Sequence, residues 1–150
     1  MNKKGFTLIE LLAVIIILAL VMSIGTISVV HITEAIKTKM LKTRVETIET
    51  SAINWGQENL DKLTQKCNNI KIEGLQDIKE ATTIDSNFCI TKTVRELINA
   101  GFIETDEIDS NKNKTYTNNV TGKSMLDDTV IIYRKNNRVY AIMKEIKSSK

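Results

Sequence analysis

The chain has 150 residues, room for one domain of ordinary size and too few for two. With 21 Lys and Arg against 18 Asp and Glu, its formal net charge of +3 lacks the basic excess of a dedicated nucleic-acid binder. Hydrophobic residues at 42% exclude wholesale disorder, and the lack of proline excludes a proline-rich stalk. Two Cys and one His are too few for a His/Cys zinc cluster, and His31 sits inside an apolar segment, a poor place for the base of a catalytic triad.

These averages hide a sharp asymmetry. No charged residue occurs from Leu11 to Thr33, and the apolar run Leu11–Val30 within it is broken only by Ser23, Gly25, Thr26 and Ser28. An apolar run of about 20 residues matches the hydrocarbon thickness of a bilayer at about 1.5 Å per helical residue. A buried core helix seldom needs a run that is apolar on every side. Lys3 and Lys4 precede the run, which puts the short N-terminal tail on the cytoplasmic side and the body outside. The run is longer than the core of a secretory signal peptide, and no Ala-x-Ala cleavage pattern follows it. The anomaly lies in front: Lys3-Lys4-Gly5-Phe6-Thr7-Leu8-Ile9-Glu10 places a carboxylate at the head of the apolar run. A charge at membrane depth is costly and usually has a partner and a role.

The octet and the long apolar segment behind it resemble the class III signal of type IV pilins and pseudopilins over about the first 30 residues. The resemblance implies cleavage between Gly5 and Phe6 by a prepilin peptidase and N-methylation of the new Phe6 amine. It also implies that Glu10 pairs with the Phe6 ammonium of a neighbouring subunit when the chain leaves the bilayer. A contacting pair partly offsets the cost of two charges in a low-dielectric fibre and acts more as a register device than as a source of stability. Cleavage removes Lys3 and Lys4, the cytoplasmic anchor charges. Many pilins kink this segment with a proline; here Gly25, with Ser23 and Ser28 nearby, is the local weak point.

Beyond the run, Leu41, Val45, Ile48, Ala52 and Trp55 recur at spacings of one helical face, with Ile36 and Leu60–Leu63 extending the stripe. Glu58 and Lys62 form an i, i+4 pair. The pattern predicts one helix from about Phe6 to about Lys66, apolar all round in its first half and amphipathic in its second. The stripe is too short for a persuasive coiled coil and is expected to pack on its own head.

The head is placed at 67–150. If it lies outside the cytoplasm, Cys67 and Cys89 are expected to form a disulfide tying the end of the long helix to the segment before the next one. Thr93-Val94-Arg95-Glu96 is a capping box opening a short helix that Gly101 ends. The segment from Thr93 to Ile103 also resembles an element of Gram-positive pilin-like proteins in which a short helix leads to the sheet. Asp109 to Lys123 reads as an exposed loop, and its two Asn-x-Thr patterns are uninformative. Thr129–Arg134 and Arg138–Met143 form a hairpin turning at Lys135-Asn136-Asn137, with a third strand sought around 114–120 or 102–105. Asp127-Asp128 falls far short of a calcium site and reads as a solvated turn. The Lys-rich 144–150 tail reads as a frayed terminus.

The expected fold is α+β: a long N-terminal helix packed on a small antiparallel sheet, with one short extra helix. The expected organisation is leader 1–5, membrane and polymerisation half-helix 6–30, amphipathic half-helix 31–66 and head 67–150. No nucleophile–base pair or phosphate loop is visible, so no enzyme, cofactor or metal is expected. Expected partners are prepilin peptidase, further copies and related pilins, the assembly ATPase and platform proteins, and the bilayer, with no specific nucleic acid. The expected location is the cytoplasmic membrane, single-pass, with the head outside, then a surface pilus or a wall-spanning pseudopilus. Three functions fit: a pilus subunit for adhesion or motility, a pseudopilin of secretion or DNA uptake, or an anchored binding protein that never polymerises. The Asn, Ile and Lys richness suggests an AT-rich, Gram-positive source, which favours the pilus. Gly5→Val should block cleavage, so that mass measurement finds residues 1–5 retained; a normally shortened product would refute the site.

Overall fold

A computed structural model describes residues 7–75, 78–105 and 107–146, without the side chains of 23–31 and Glu145. The chain divides into two units, Met1–Ile36 and Lys37–Lys150. Helix α1 spans Leu8–Glu58, a short 3-10 turn follows at Leu60–Lys62, and helix α2 is Val94–Asn99. The strands are β1 (Gln65–Ile72), β2 (Thr82–Thr93), β3 (Thr129–Lys135) and β4 (Arg138–Glu145), in antiparallel order β1-β2-β3-β4. The fold is α+β.

In the first unit, every described large apolar side chain from Leu8 to Met22 is at least 48% exposed. Among the described residues no helix is long and apolar enough to cross a membrane. The described side chains of the apolar run stop at Met22, short of the roughly 20 residues a crossing needs. Phe6 and the side chains of 23–31, including those around Gly25, lie outside them.

The head unit includes the second half of α1. Leu41, Val45, Ile48, Ala52 and Trp55 are all buried, as the predicted stripe requires. They pack with Val94 and Leu97 of α2 and with Val130, Ile132 and Met143 from one face of the sheet. Each large aliphatic among them contributes about 1.5–3 kcal/mol by leaving water. Gly56 lets the helix sit close on the strands: a Cβ there would lie 2.5 Å from Ile132 Cγ2 and 2.8 Å from Val139 Cγ1.

Helix α1 ends at Glu58 rather than about Lys66. The Asn59 side chain donates to the Trp55 carbonyl and accepts from Lys62 Nζ at 2.6 Å, so the expected Glu58–Lys62 helical pair does not form. Asn competes with helix by bonding nearby backbone in this way. Leu63 is buried and Leu60 exposed.

The third strand sought near 102–105 or 114–120 is not there; those segments contribute only isolated bridges at Ile108–Lys114 and Thr117–Ser124. The sheet is completed instead by β1 and β2. Their apolar alternation is broken by register shifts between Gln65 and Cys67 and between Cys67 and Ile70, with Asn69 at positive φ. A bulge adds a residue and destroys the period of two that marks a strand. Ser86, buried, holds the irregular middle of β2 by donating to the Arg134 carbonyl at 2.6 Å and accepting from Phe88 N at 3.2 Å.

The other face of the sheet carries a second apolar cluster of Ile72, Ile84, Ile131 and the Cys67–Cys89 disulfide. Strand β1 also touches β4, although the two are opposite edges of the sheet, so the sheet curls. The disulfide joins adjacent strands across 22 positions with Cα atoms 6.1 Å apart, and does not tie the end of the long helix. Closing a loop of that size is worth about 3 kcal/mol in the chain-entropy model.

Polar clasps complete the head. Glu49 Oε1 accepts from Met143 N at 2.8 Å, and Lys79 Nζ donates to the Met143 carbonyl, which together blunt the edge strand β4. Burial pushes the Glu49 pKa up and the Lys79 pKa down, each opposed by the other's charge. The Asp109–Lys123 segment is no plain exposed loop, since Thr115, Tyr116 and Asn118 are buried. Glu107 anchors it, accepting from Arg44 of α1 and, through Oε2, from Thr117 N at 2.7 Å; the Arg44 guanidinium lies 4.7 Å over the Tyr116 ring.

The capping box at Thr93–Glu96 forms in full, and Gly101 at φ +79° follows the helix end. The β3–β4 turn puts Asn136 and Asn137 at positive φ, the requirement of a tight type I′ hairpin.

Gly56→Ala should lower stability by about 1–3 kcal/mol through overpacking, although helix propensity alone favours Ala by about 1 kcal/mol. Thermal unfolding of the detergent-solubilised chain decides, and a raised midpoint would contradict the packing. Burial opposes the Glu107 charge, but hydrogen bonds from Arg44 and Thr117 outweigh it and hold its pKa below the usual range. That charge therefore stabilises the fold above the unfolded value of about 4.3 and is lost as pH falls through the lower native value. Glu107→Gln should flatten the acid limb of stability against pH; an unchanged limb would remove this role.

Candidate functional site

The residues singled out at the N-terminus are Gly5, Phe6 and Glu10. Gly5 and Phe6 lie outside the described residues. Glu10 is described, and its surroundings begin with a general property of helices: the first four N–H groups of α1 have no partner within the helix. Thr7 immediately precedes the helix. Its hydroxyl accepts from Glu10 N at 3.3 Å, while Glu10 Oε2 accepts from Thr7 N and from Thr7 Oγ1, each at 2.9 Å. This is the reciprocal pattern of a capping box. The Thr7 carbonyl accepts from Glu10 N at 3.1 Å and from Leu11 N at 3.2 Å, which starts the helical ladder.

The arrangement fixes an exposed carboxylate at the first turn of the helix, one residue from the Gly5–Phe6 bond at its Thr7 anchor. A negative charge there is also favoured by the helix dipole. All the described hydrogen bonds to the carboxylate land on Oε2, and Oε1 has no hydrogen-bond partner among the described residues. The site can therefore hold its own helix start and still offer an oxygen to a cation.

Reading the sequence missed this cap. Thr7-Leu8-Ile9-Glu10 has the same Thr-x-x-Glu spacing as Thr93–Glu96, where the box was recognised. The cost of a charge beside the apolar run drew attention to what Glu10 would pair with outside the chain, and away from its neighbour three residues back.

Elsewhere the structure separates residues that are adjacent in sequence. Asp127 is exposed and pairs with Arg95 Nη2 at 3.1 Å, whereas Asp128 is 1% exposed, so the solvated-turn reading holds for Asp127 alone. The Asp128 carbonyl accepts from Val94 N and its own N–H bonds the Met125 carbonyl, which docks the end of the loop onto α2. Among the described residues no group of three or more His, Cys, Asp or Glu side chains is placed to hold a metal.

Comparison with curated proteins and with solved structures finds no match. Residues 1–26 match a family model described as the prokaryotic N-terminal methylation motif. The chain thus carries at its N-terminus the class III signal found in type IV pilins and pseudopilins.

Proposed function

We propose that the chain is a structural subunit of a type IV pilus-like surface filament. It is cleaved between Gly5 and Phe6, methylated on the Phe6 amine, held in the cytoplasmic membrane by the 6–30 half-helix with the head outside, and then assembled by packing of that half-helix against other copies. The observation that carries this reading is the Thr7–Glu10 cap at the head of an apolar run with exposed side chains, inside the methylation motif.

The physical logic follows from the cap. A carboxylate entering an apolar medium must be hydrogen-bonded or paired. Thr7 supplies two donors to one oxygen and keeps the carboxylate aimed at the helix start. Cleavage creates an ammonium on Phe6, and in a filament the neighbouring copy presents the same group. Pairing Glu10 with that ammonium removes an uncompensated charge, and a shift of one subunit against the next leaves it unpaired. The pair sets register, while the apolar surface from Leu8 onward supplies the favourable free energy of packing.

Three substitutions separate the cap from the charge. Thr7→Val removes the hydroxyl and costs about 1 kcal/mol of helix-start stability, but keeps the charge, so filaments should still form. Glu10→Gln keeps an acceptor for Thr7 and loses the charge, so it should be processed normally and assemble at least tenfold less. Glu10→Ala loses both and should assemble no better than Glu10→Gln. The readout is the shortened mass in membranes and the amount of sheared filament. Normal filaments from Glu10→Gln would sink the ion-pair role and leave only the cap.

A further inference from the structure

We propose that the heads of successive copies touch through one defined contact: the exposed Ile108 of one copy, with Glu104 and Asp109 on the same connection, seats in a cation-rimmed cavity at the β3–β4 turn of the next. This inference rests on the filament reading above and adds to it the surfaces that meet.

The receiving site is a cavity of about 480 Å³ between the end of α1 and the β3–β4 turn. Leu60 and Val139 give it an apolar lining, Arg134 and Arg138 give it charge, and none of its lining residues is acidic. Leu60 is 45% exposed. Arg134 stacks 4.5 Å over the ring of Phe88, which is itself 46% exposed, and Lys135 lies opposite Arg138 in the strand register. None of the ion pairs among the described residues uses Arg134, Lys135 or Arg138. Exposed aromatic and arginine side chains around an apolar hollow are the composition of an interface centre rather than of ordinary surface.

The matching knob lies on the long connection between α2 and β3. Glu104-Thr105-Asp106-Glu107-Ile108-Asp109 holds four acids in six residues. Ile108 is 64% exposed, the most exposed large apolar side chain of the described head. It is held out by a stiff turn. Asp109 N donates to the Asn113 carbonyl at 2.9 Å, and Asp109 Oδ1 accepts from Asn111 N and Asn113 N, each at 2.8 Å. A rigid knob loses little entropy on docking. Glu107 is engaged by Arg44, and Lys112 and Lys114 reduce the loop's net charge. Ile108 is therefore the anchor, and Glu104 and Asp109 orient it against Arg134 and Arg138.

One chain cannot join its own two surfaces. The knob is tied to α1 at Arg44, while the cavity borders Gln57. Thirteen residues of helix separate those points, about 20 Å at 1.5 Å per residue. Different patches on identical chains make a head-to-tail contact, which propagates into a helical array instead of closing a two-fold dimer. The occupant is thus a second copy displaced along its helix axis.

The test uses full-length chains expressed in the chain's own host cells. Two differently tagged copies are co-expressed, one with Ile108→Cys and one with Leu60→Cys, and sheared filaments are oxidised. A cross-linked species carrying both tags is expected, and none when Glu80→Cys replaces Leu60→Cys. Independently, Arg138→Glu at the exposed turn should lower sheared filament at least tenfold, and adding Glu104→Arg should restore most of it. Wild-type filaments without the cross-link, together with normal assembly of Arg138→Glu, would overturn the contact and leave the filament reading intact. Normal assembly of Arg138→Glu with lost binding of an oligo(dT) probe would also overturn it, in favour of an external polyanion. A wild type that forms no filament removes both readings at once, which the unmodified control reveals first.

Discussion

Helix α1 changes its surface character once along its length, and the rest of the molecule depends on that change. From Leu11 to Val30 its sequence holds no charged residue; from Leu41 it offers one apolar stripe and polar flanks. A helix apolar on every side is stable only where water is excluded, while a single stripe calls for one partner surface. The stripe of Leu41, Val45, Ile48, Ala52 and Trp55 supplies the floor on which the head is built. Val130, Ile132 and Met143 meet it from the sheet, Val94 and Leu97 from α2, and Gly56 brings strand and helix within side-chain contact.

Polar groups are spent at the places where this scheme leaves backbone or charge exposed to a poor environment. The Thr7–Glu10 box satisfies the start of α1 ahead of an apolar run, and the Thr93–Glu96 box does the same for α2. Glu49 and Lys79 close the outward N–H and carbonyl of Met143 on the edge strand, though burial works against the charge of both. Arg44 and Glu107 pin the long β2–β3 connection back onto the helix. The disulfide holds the irregular β1–β2 hairpin, whose bulges deprive it of a clean strand ladder.

Legibility in the sequence followed the strength of local periodicity. The buried stripe, the capped α2 with its Gly101 stop and the β3–β4 hairpin were all readable because each repeats or terminates by a short-range rule. Strands β1 and β2 were not, since Asn69 and the shifts around Cys67 interrupt alternation and their polar Thr, Asp, Ser and Asn residues look like loop. The burial of Tyr116, Asn118 and Asp128 was hidden for another reason: tertiary hydrogen bonds rather than composition decide it. At the N-terminus the methylation motif was legible from residue order, while the Thr7–Glu10 cap was not, because a charge beside an apolar run is a stronger signal than Thr-x-x-Glu spacing.

On this reading the methylation motif is used and the processed chain enters a surface filament. Mass spectrometry of the N-terminal peptide, taken separately from material sheared off intact cells and from their membranes, tests it most directly. The account requires a peptide beginning at N-methyl Phe6 in the sheared fraction. The processed peptide confined to membranes would contradict the surface filament and point to a pseudopilin. A peptide still beginning at Met1 in both fractions would contradict processing itself and leave a membrane-anchored protein that does not polymerise.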